Sequence, residues 1–68
     1  MVIPTTFLRL PEVRNRTGLG RSTIYEKMDK GEFPSSVKLG LRTVAWVESE
    51  IEAYNQACID ASRSGDSE

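Results

Sequence analysis

Arg21, Ser22, Thr23, Tyr25, Glu26 and Lys27 place a guanidinium, two hydroxyls, a phenol, a carboxylate and an ammonium along one short stretch of chain. The chain has no histidine and a single cysteine, Cys58. The usual ingredients of a nucleophile–base pair, a zinc site or a disulfide framework are therefore missing. The reading is of a protein that is not an enzyme and takes no metal or cofactor. What the Arg21–Lys27 set can do is recognise hydrogen-bonding edges. An arginine binds guanine bidentately, serine and threonine reach bases or phosphates, and a glutamate accepts from the amino group of cytosine. Two further cations, Lys38 and Arg42, flank Gly40-Leu41, where they would meet a sugar–phosphate backbone.

These side chains matter only if local structure presents them together. Pro11 suits the first turn of a helix, and Gly18 suits the left-handed position just beyond a helix end, which predicts a helix over Pro11–Thr17. Gly18-Leu19-Gly20 leaves room only for a tight corner, with Leu19 inward and Gly20 as an adequate N-cap. A second helix over Arg21–Lys30 is stopped by Gly31 and Pro34, and Ile24 and Met28 form its inward stripe. At 100° per residue this stripe sends Ser22, Thr23 and Glu26 to the far face, with Tyr25 and Lys27 at its borders and Arg21 at the tip.

Beyond Pro34 the period becomes alternating, with Val37 and Leu39 facing inward on one strand and Val44 and Trp46 on the returning one. Gly40-Leu41-Arg42 forms the turn of this hairpin. Helical spacing resumes at Val47, Ile51, Tyr54 and Cys58, an apolar stripe whose helix has Glu48, Glu50 and Glu52 near its positive end. Trp46 and Tyr54 read as core residues. The fold class is α+β, mostly α: a small winged helix-turn-helix with a two-stranded hairpin wing and a C-terminal helix. Residues 1–61 form the domain, its first six an extended arm anchored by Phe7, Leu8 and Leu10, and residues 62–68 form a disordered tail.

Sixty-eight residues hold one small core. The net charge of −1 conceals a division: Met1–Val47 holds eight basic residues against four acidic ones, and Glu48–Glu68 holds one against six. A basic front and an acidic back suit oriented binding to a polyanion. No run of about 18 apolar residues or signal-peptide pattern is present, so a cytoplasmic location is expected, with the chain associated with the cell's DNA when bound to it. Plainer readings stay open for these residues. Ser22 and Thr23 could serve only backbone N–H groups, Glu26 could pair with Lys30, and Lys38 and Arg42 could be edge charges that discourage sheet aggregation.

The run Phe7-Leu8-Arg9-Leu10-Pro11-Glu12-Val13, then Arg16-Thr17-Gly18-Leu19 and Arg21-Ser22-Thr23-Ile24-Tyr25, resembles the AlpA family of prophage transcriptional regulators. The resemblance continues through Gly31-Glu32-Phe33-Pro34, Val37-Lys38-Leu39-Gly40, Arg42, Trp46 and Ser49-Glu50-Ile51. It implies a winged helix-turn-helix related to the MerR and excisionase groups, carried by prophages and integrative elements. It also implies transcriptional regulation, often of integrase or excision genes, through double-stranded DNA. Arg21, Ser22, Thr23, Tyr25 and Glu26 would then lie in the recognition helix, and Lys38 and Arg42 in the wing. Gly20 stands where the family usually has a serine cap, and Glu26 where a basic residue is common. One such module covers little DNA, so a homodimer or tandem copies are expected, with neither a membrane nor a small molecule as partner. The alternatives are an excisionase-like recombination directionality factor and a protein-interaction module that does not bind DNA.

Overall fold

Gly18 and Gly31 adopt φ values of 74° and 73°, the left-handed backbone that ends a helix where a side chain would be strained. In the computed structural model, which describes residues 5–64, they close two short helices. Helix α1 spans Leu10–Thr17 and α2 spans Arg21–Asp29, each within a residue or so of the predicted bounds. Gly18 N–H donates to the Arg14 carbonyl at 2.8 Å. After α2, Gly31 N–H reaches the Met28 carbonyl and Glu32 N–H the Lys27 carbonyl at 2.8 Å, the paired bonds of a Schellman ending.

The remaining elements are β1 (Phe7–Leu8), β2 (Val37–Lys38), β3 (Val44–Val47) and α3 (Glu48–Ser64). The three strands form an antiparallel sheet in the order β1-β3-β2. Two of the residues that sequence reads as anchors of the arm therefore form a strand, Phe7 opposite Val47 and Leu8 opposite Trp46. Residues 1–4 of that arm, and residues 65–68 of the expected tail, lie outside the described residues. Residues 62–64, read as tail, continue α3 and are exposed.

Leu8, Val13, Ile24, Phe33, Trp46 and Ile51 make the buried cluster, with Leu10, Leu19, Met28, Val44 and Tyr54 packed around it. Burying side chains of this size contributes about 1.5–3 kcal/mol each before conformational entropy is subtracted. Trp46 is fully enclosed, and its indole N–H donates to the Pro34 carbonyl at 3.1 Å, so no buried donor is wasted. That bond also ties the α2–β2 loop to β3.

Two inward assignments are corrected. Val37 stands opposite Ala45 and Lys38 opposite Val44. Opposed residues share a face, so Val37 lies on the Ala45 side and Lys38 on the Val44 and Trp46 side. Val37, on this edge strand, and Leu39, just beyond it, are exposed. Cys58 is exposed as well, because its turn of α3 lies beyond the reach of the core that covers Ile51. No helix among the described residues is long and apolar enough to cross a membrane.

Candidate nucleic-acid interface

Helix α2 begins at Gly20, whose extended backbone (φ −80°, ψ 166°) fits an N-cap but supplies no side-chain acceptor. Its first-turn N–H groups are therefore left to solvent or a ligand. Ile24 is fully buried and fixes the rotation of the helix. Arg21, Ser22, Tyr25 and Glu26 are then exposed, and Thr23 and Lys27 half-buried. Of the far face predicted from periodicity, Ser22 and Glu26 are exposed, whereas Thr23 is half-buried and the border residue Tyr25 takes its place on the exposed side.

Within that surface the side chains already have neighbours. The Arg21 guanidinium lies over the Tyr25 ring, 5.8 Å from its centre. The Tyr25 ring in turn meets Trp46 edge to face, with centroids 6.4 Å apart. A buried tryptophan thus positions the tyrosine, and the tyrosine steadies the arginine. Lys30 sits 3.6 Å from Glu26 and Lys27 sits 3.8 Å from Glu32, long, exposed pairs that bind their partners weakly. The Glu26–Lys30 pairing allowed by the plainer reading does form, and the two charges offset each other on the exposed face.

The wing tip is held by one carbonyl. Thr43 O accepts from the N–H groups of Leu39 at 2.7 Å and Gly40 at 3.2 Å, leaving Leu41 and Arg42 exposed at the reversal. Lys38 leaves the sheet on the face of Trp46, against which Tyr25 of α2 rests. Among the described residues, Arg21, Lys38 and Arg42 form no salt bridge. Helix and hairpin therefore offer three cations that, among the described residues, have no acidic partner.

Two residues not singled out from sequence join them. Arg14 and Asn15 of α1 are exposed and line a depression of about 420 Å³ with Pro11, Gly18, Leu19 and Gly20, at the start of α2. Their position follows from the shortness of the corner, which sets the end of α1 beside the first turn of α2. Another depression, about 760 Å³, lies between the α2–β2 loop and α3. It carries the carboxylates of Glu32 and Glu50 and no basic residue, an unsuitable lining for a polyanion.

Two short helices around a glycine corner, a hairpin beside them and a covering C-terminal helix define a winged helix-turn-helix of the α+β class. The chain belongs to the AlpA family: the family model described as "Prophage CP4-57 regulatory protein (AlpA)" matches residues 6–59. It is 38% identical over 58 residues to "DNA-binding transcriptional activator AlpA" of Escherichia coli K12, covering 75% of this chain and 83% of that protein. It is 58% identical over 48 residues to "Uncharacterized protein ORF88" of Enterobacteria phage P4. That match covers 71% of this chain and 54% of the phage protein, so the chain spans about half of that relative's length. No solved structure gives a significant match.

Proposed function

We propose that the chain is a sequence-specific DNA-binding transcriptional regulator of a prophage or integrative element, working where the DNA is, in the cytoplasm. Helix α2 enters the major groove, with Arg21, Ser22, Thr23, Tyr25, Glu26 and Lys27 as its reading set. Lys38 and Arg42 of the wing rest on the backbone. Residues 1–61 form the binding unit, and two copies, as a dimer or in tandem, provide the footprint that useful specificity needs.

The observation that carries this reading is the β2–β3 register. It turns Lys38 toward the side of the sheet on which Tyr25 and Arg21 of α2 are stacked, which supports docking of helix and wing on one duplex. The E. coli relative, a DNA-binding transcriptional activator by name, supports it independently.

The test is selection of bound duplexes from a random library at moderate salt, with the natural chain and Arg21→Ala in parallel. An enriched motif that the variant loses or blurs is the expected result. Absence of enrichment with the natural chain would remove the sequence-specific part of the proposal.

A further inference from the structure

Leu41 is 93% exposed, whereas the next most exposed large apolar side chain among the described residues, Leu39, is at 47%. It stands at the outermost point of the wing, followed by Arg42 and preceded by Gly40. Two bonds to the Thr43 carbonyl, from the N–H groups of Leu39 and Gly40, fix this point, and none of its residues has a positive φ. The tip is thus preorganised, with its apolar side chain held away from the core.

Charge says what such a tip fits. The fifteen residues from Phe33 to Val47 hold two cations, Lys38 and Arg42, and no carboxylate. An apolar point between cations matches a duplex, whose rim is phosphate and whose interior is stacked bases. Proteins that bend DNA from the minor groove insert leucine, phenylalanine or similar wedges between base steps in this way.

We propose that Leu41 is a wedge: with the wing on the minor groove, its side chain enters between adjacent base pairs, partly unstacks them and kinks the duplex, while Arg42 and Lys38 hold the flanking phosphates. This rests on the DNA-binding reading above and adds to it a deformation centred on one residue. It makes pyrimidine–purine steps under the wing cheaper to bind than stiff ones such as A-tracts, so specificity arises there without base-edge hydrogen bonds.

The experiment uses the full chain and a duplex of about 30 base pairs carrying the selected motif, or an A·T-rich duplex at low salt if no motif is recovered. A fluorophore pair on the ends reports bending, and 2-aminopurine at steps under the wing reports unstacking. The natural chain brings the ends together and brightens the 2-aminopurine. Leu41→Ala, whose fold should be untouched because Leu41 packs on nothing, binds about threefold to tenfold more weakly and at saturation loses both signals. Leu41→Phe keeps them. Arg42→Ala weakens binding yet retains the brightening at saturation. Binding without bending by the natural chain, or unchanged signals in Leu41→Ala, would overturn the wedge and leave DNA binding standing. Absence of binding to either duplex would overturn both. A shift in sedimentation of the DNA-free chain on Leu41→Ala, with the duplex signals unmoved, would instead make the tip a contact for a second copy and overturn the wedge.

Discussion

The guanidinium of Arg16, on α1, donates to a carboxylate oxygen of Glu48, in the first turn of α3, at 2.9 Å. Its Nε donates to Glu12 at the same distance, and the Asn55 side-chain amide donates to the Arg16 carbonyl at 3.1 Å. One residue thereby joins the helix-turn-helix to the covering helix. The bonds to Glu12 and Glu48 raise its pKa, so it stays charged throughout the working range. Arg16→Ala should lower the melting temperature by a few degrees at low salt and by less in about 1 M salt, where such exposed pairs are screened. Thermal unfolding at the two salts checks this. An equal loss at both would assign the effect to the aliphatic stem rather than the ion pairs.

Gly18 and Gly20 bound the same corner and should respond in opposite directions. Gly18 is left-handed at φ 74°, so Gly18→Ala strains the backbone although nothing crowds the added carbon, at a cost of about 1–2 kcal/mol. Gly20 is extended and equally open, so Gly20→Ser adds an N-cap acceptor without strain and stabilises by a few tenths of a kcal/mol, about what separates serine from glycine at a cap. Urea unfolding of the two variants should straddle the natural chain. Two shifts of the same sign would refute the assignment of their roles.

Ile24 couples stability to presentation of the α2 surface, since it is fully buried and sets the rotation of that helix. Truncating such a side chain to alanine costs about 2–5 kcal/mol, against about 0.05–0.15 kcal/mol per residue for a whole domain. Ile24→Ala should therefore leave a substantial unfolded fraction at 37 °C, whereas Ile24→Val costs about 0.5–1.5 kcal/mol and stays folded. Circular dichroism with urea titration separates the two. A folded Ile24→Ala with a midpoint close to the natural chain's would show that the core closes over the gap.

Much of this architecture was legible because its signals are local. Pro11, Gly18 and Gly31 bracket helices through their own backbone preferences, and Ile24 sets the exposed face of α2 through periodicity alone. Strand β1 was not, since two residues, Phe7 and Leu8, show no alternation and become a strand only by pairing with Val47 and Trp46. The faces of the wing failed for a related reason. Apolar Val37 and Leu39 suggest an inward pair, but in the observed register Lys38 takes the Trp46 face of the sheet and, on the edge strand, stays exposed like its neighbours. The stripe ending in Cys58 has true helical spacing, yet periodicity carries no information on where the core stops. The packing of Tyr25 on Trp46 joins residues far apart in sequence, and only the folded chain brings it together; the stacking of Arg21 on Tyr25 is one helical turn long and rests on it.

Tyr54 gives the domain a dependence on alkaline pH. Burial first, then the neighbouring Cys58 thiol and the Glu32 charge, hold its phenol above the ordinary value, while its ring packs on Phe33 with centroids 4.7 Å apart. A group whose pKa is raised on folding contributes stability that is complete below the unfolded value, about 10 for tyrosine, and lost as pH climbs through the native one. Urea midpoints from about pH 8 to pH 11 should fall more steeply for the natural chain than for Tyr54→Phe. Parallel curves would rule out this linkage.

On the proposed docking, Arg21 and Lys38 should fail differently, because one would read bases and the other would neutralise a phosphate. Both are exposed and outside any salt bridge among the described residues, so neither substitution should disturb the fold. Arg21→Ala should cost about 1–3 kcal/mol on the selected motif, less on arbitrary DNA, and so narrow the gap between them. Lys38→Ala should weaken binding to every duplex by a similar factor and reduce the slope of log K against log salt by about 0.9, the share of one phosphate. Fluorescence anisotropy titrations at four salt concentrations, on cognate and scrambled duplexes, read both quantities together. A specificity change in Lys38→Ala with an unaltered slope would put the wing on base edges and require a different orientation of the whole domain.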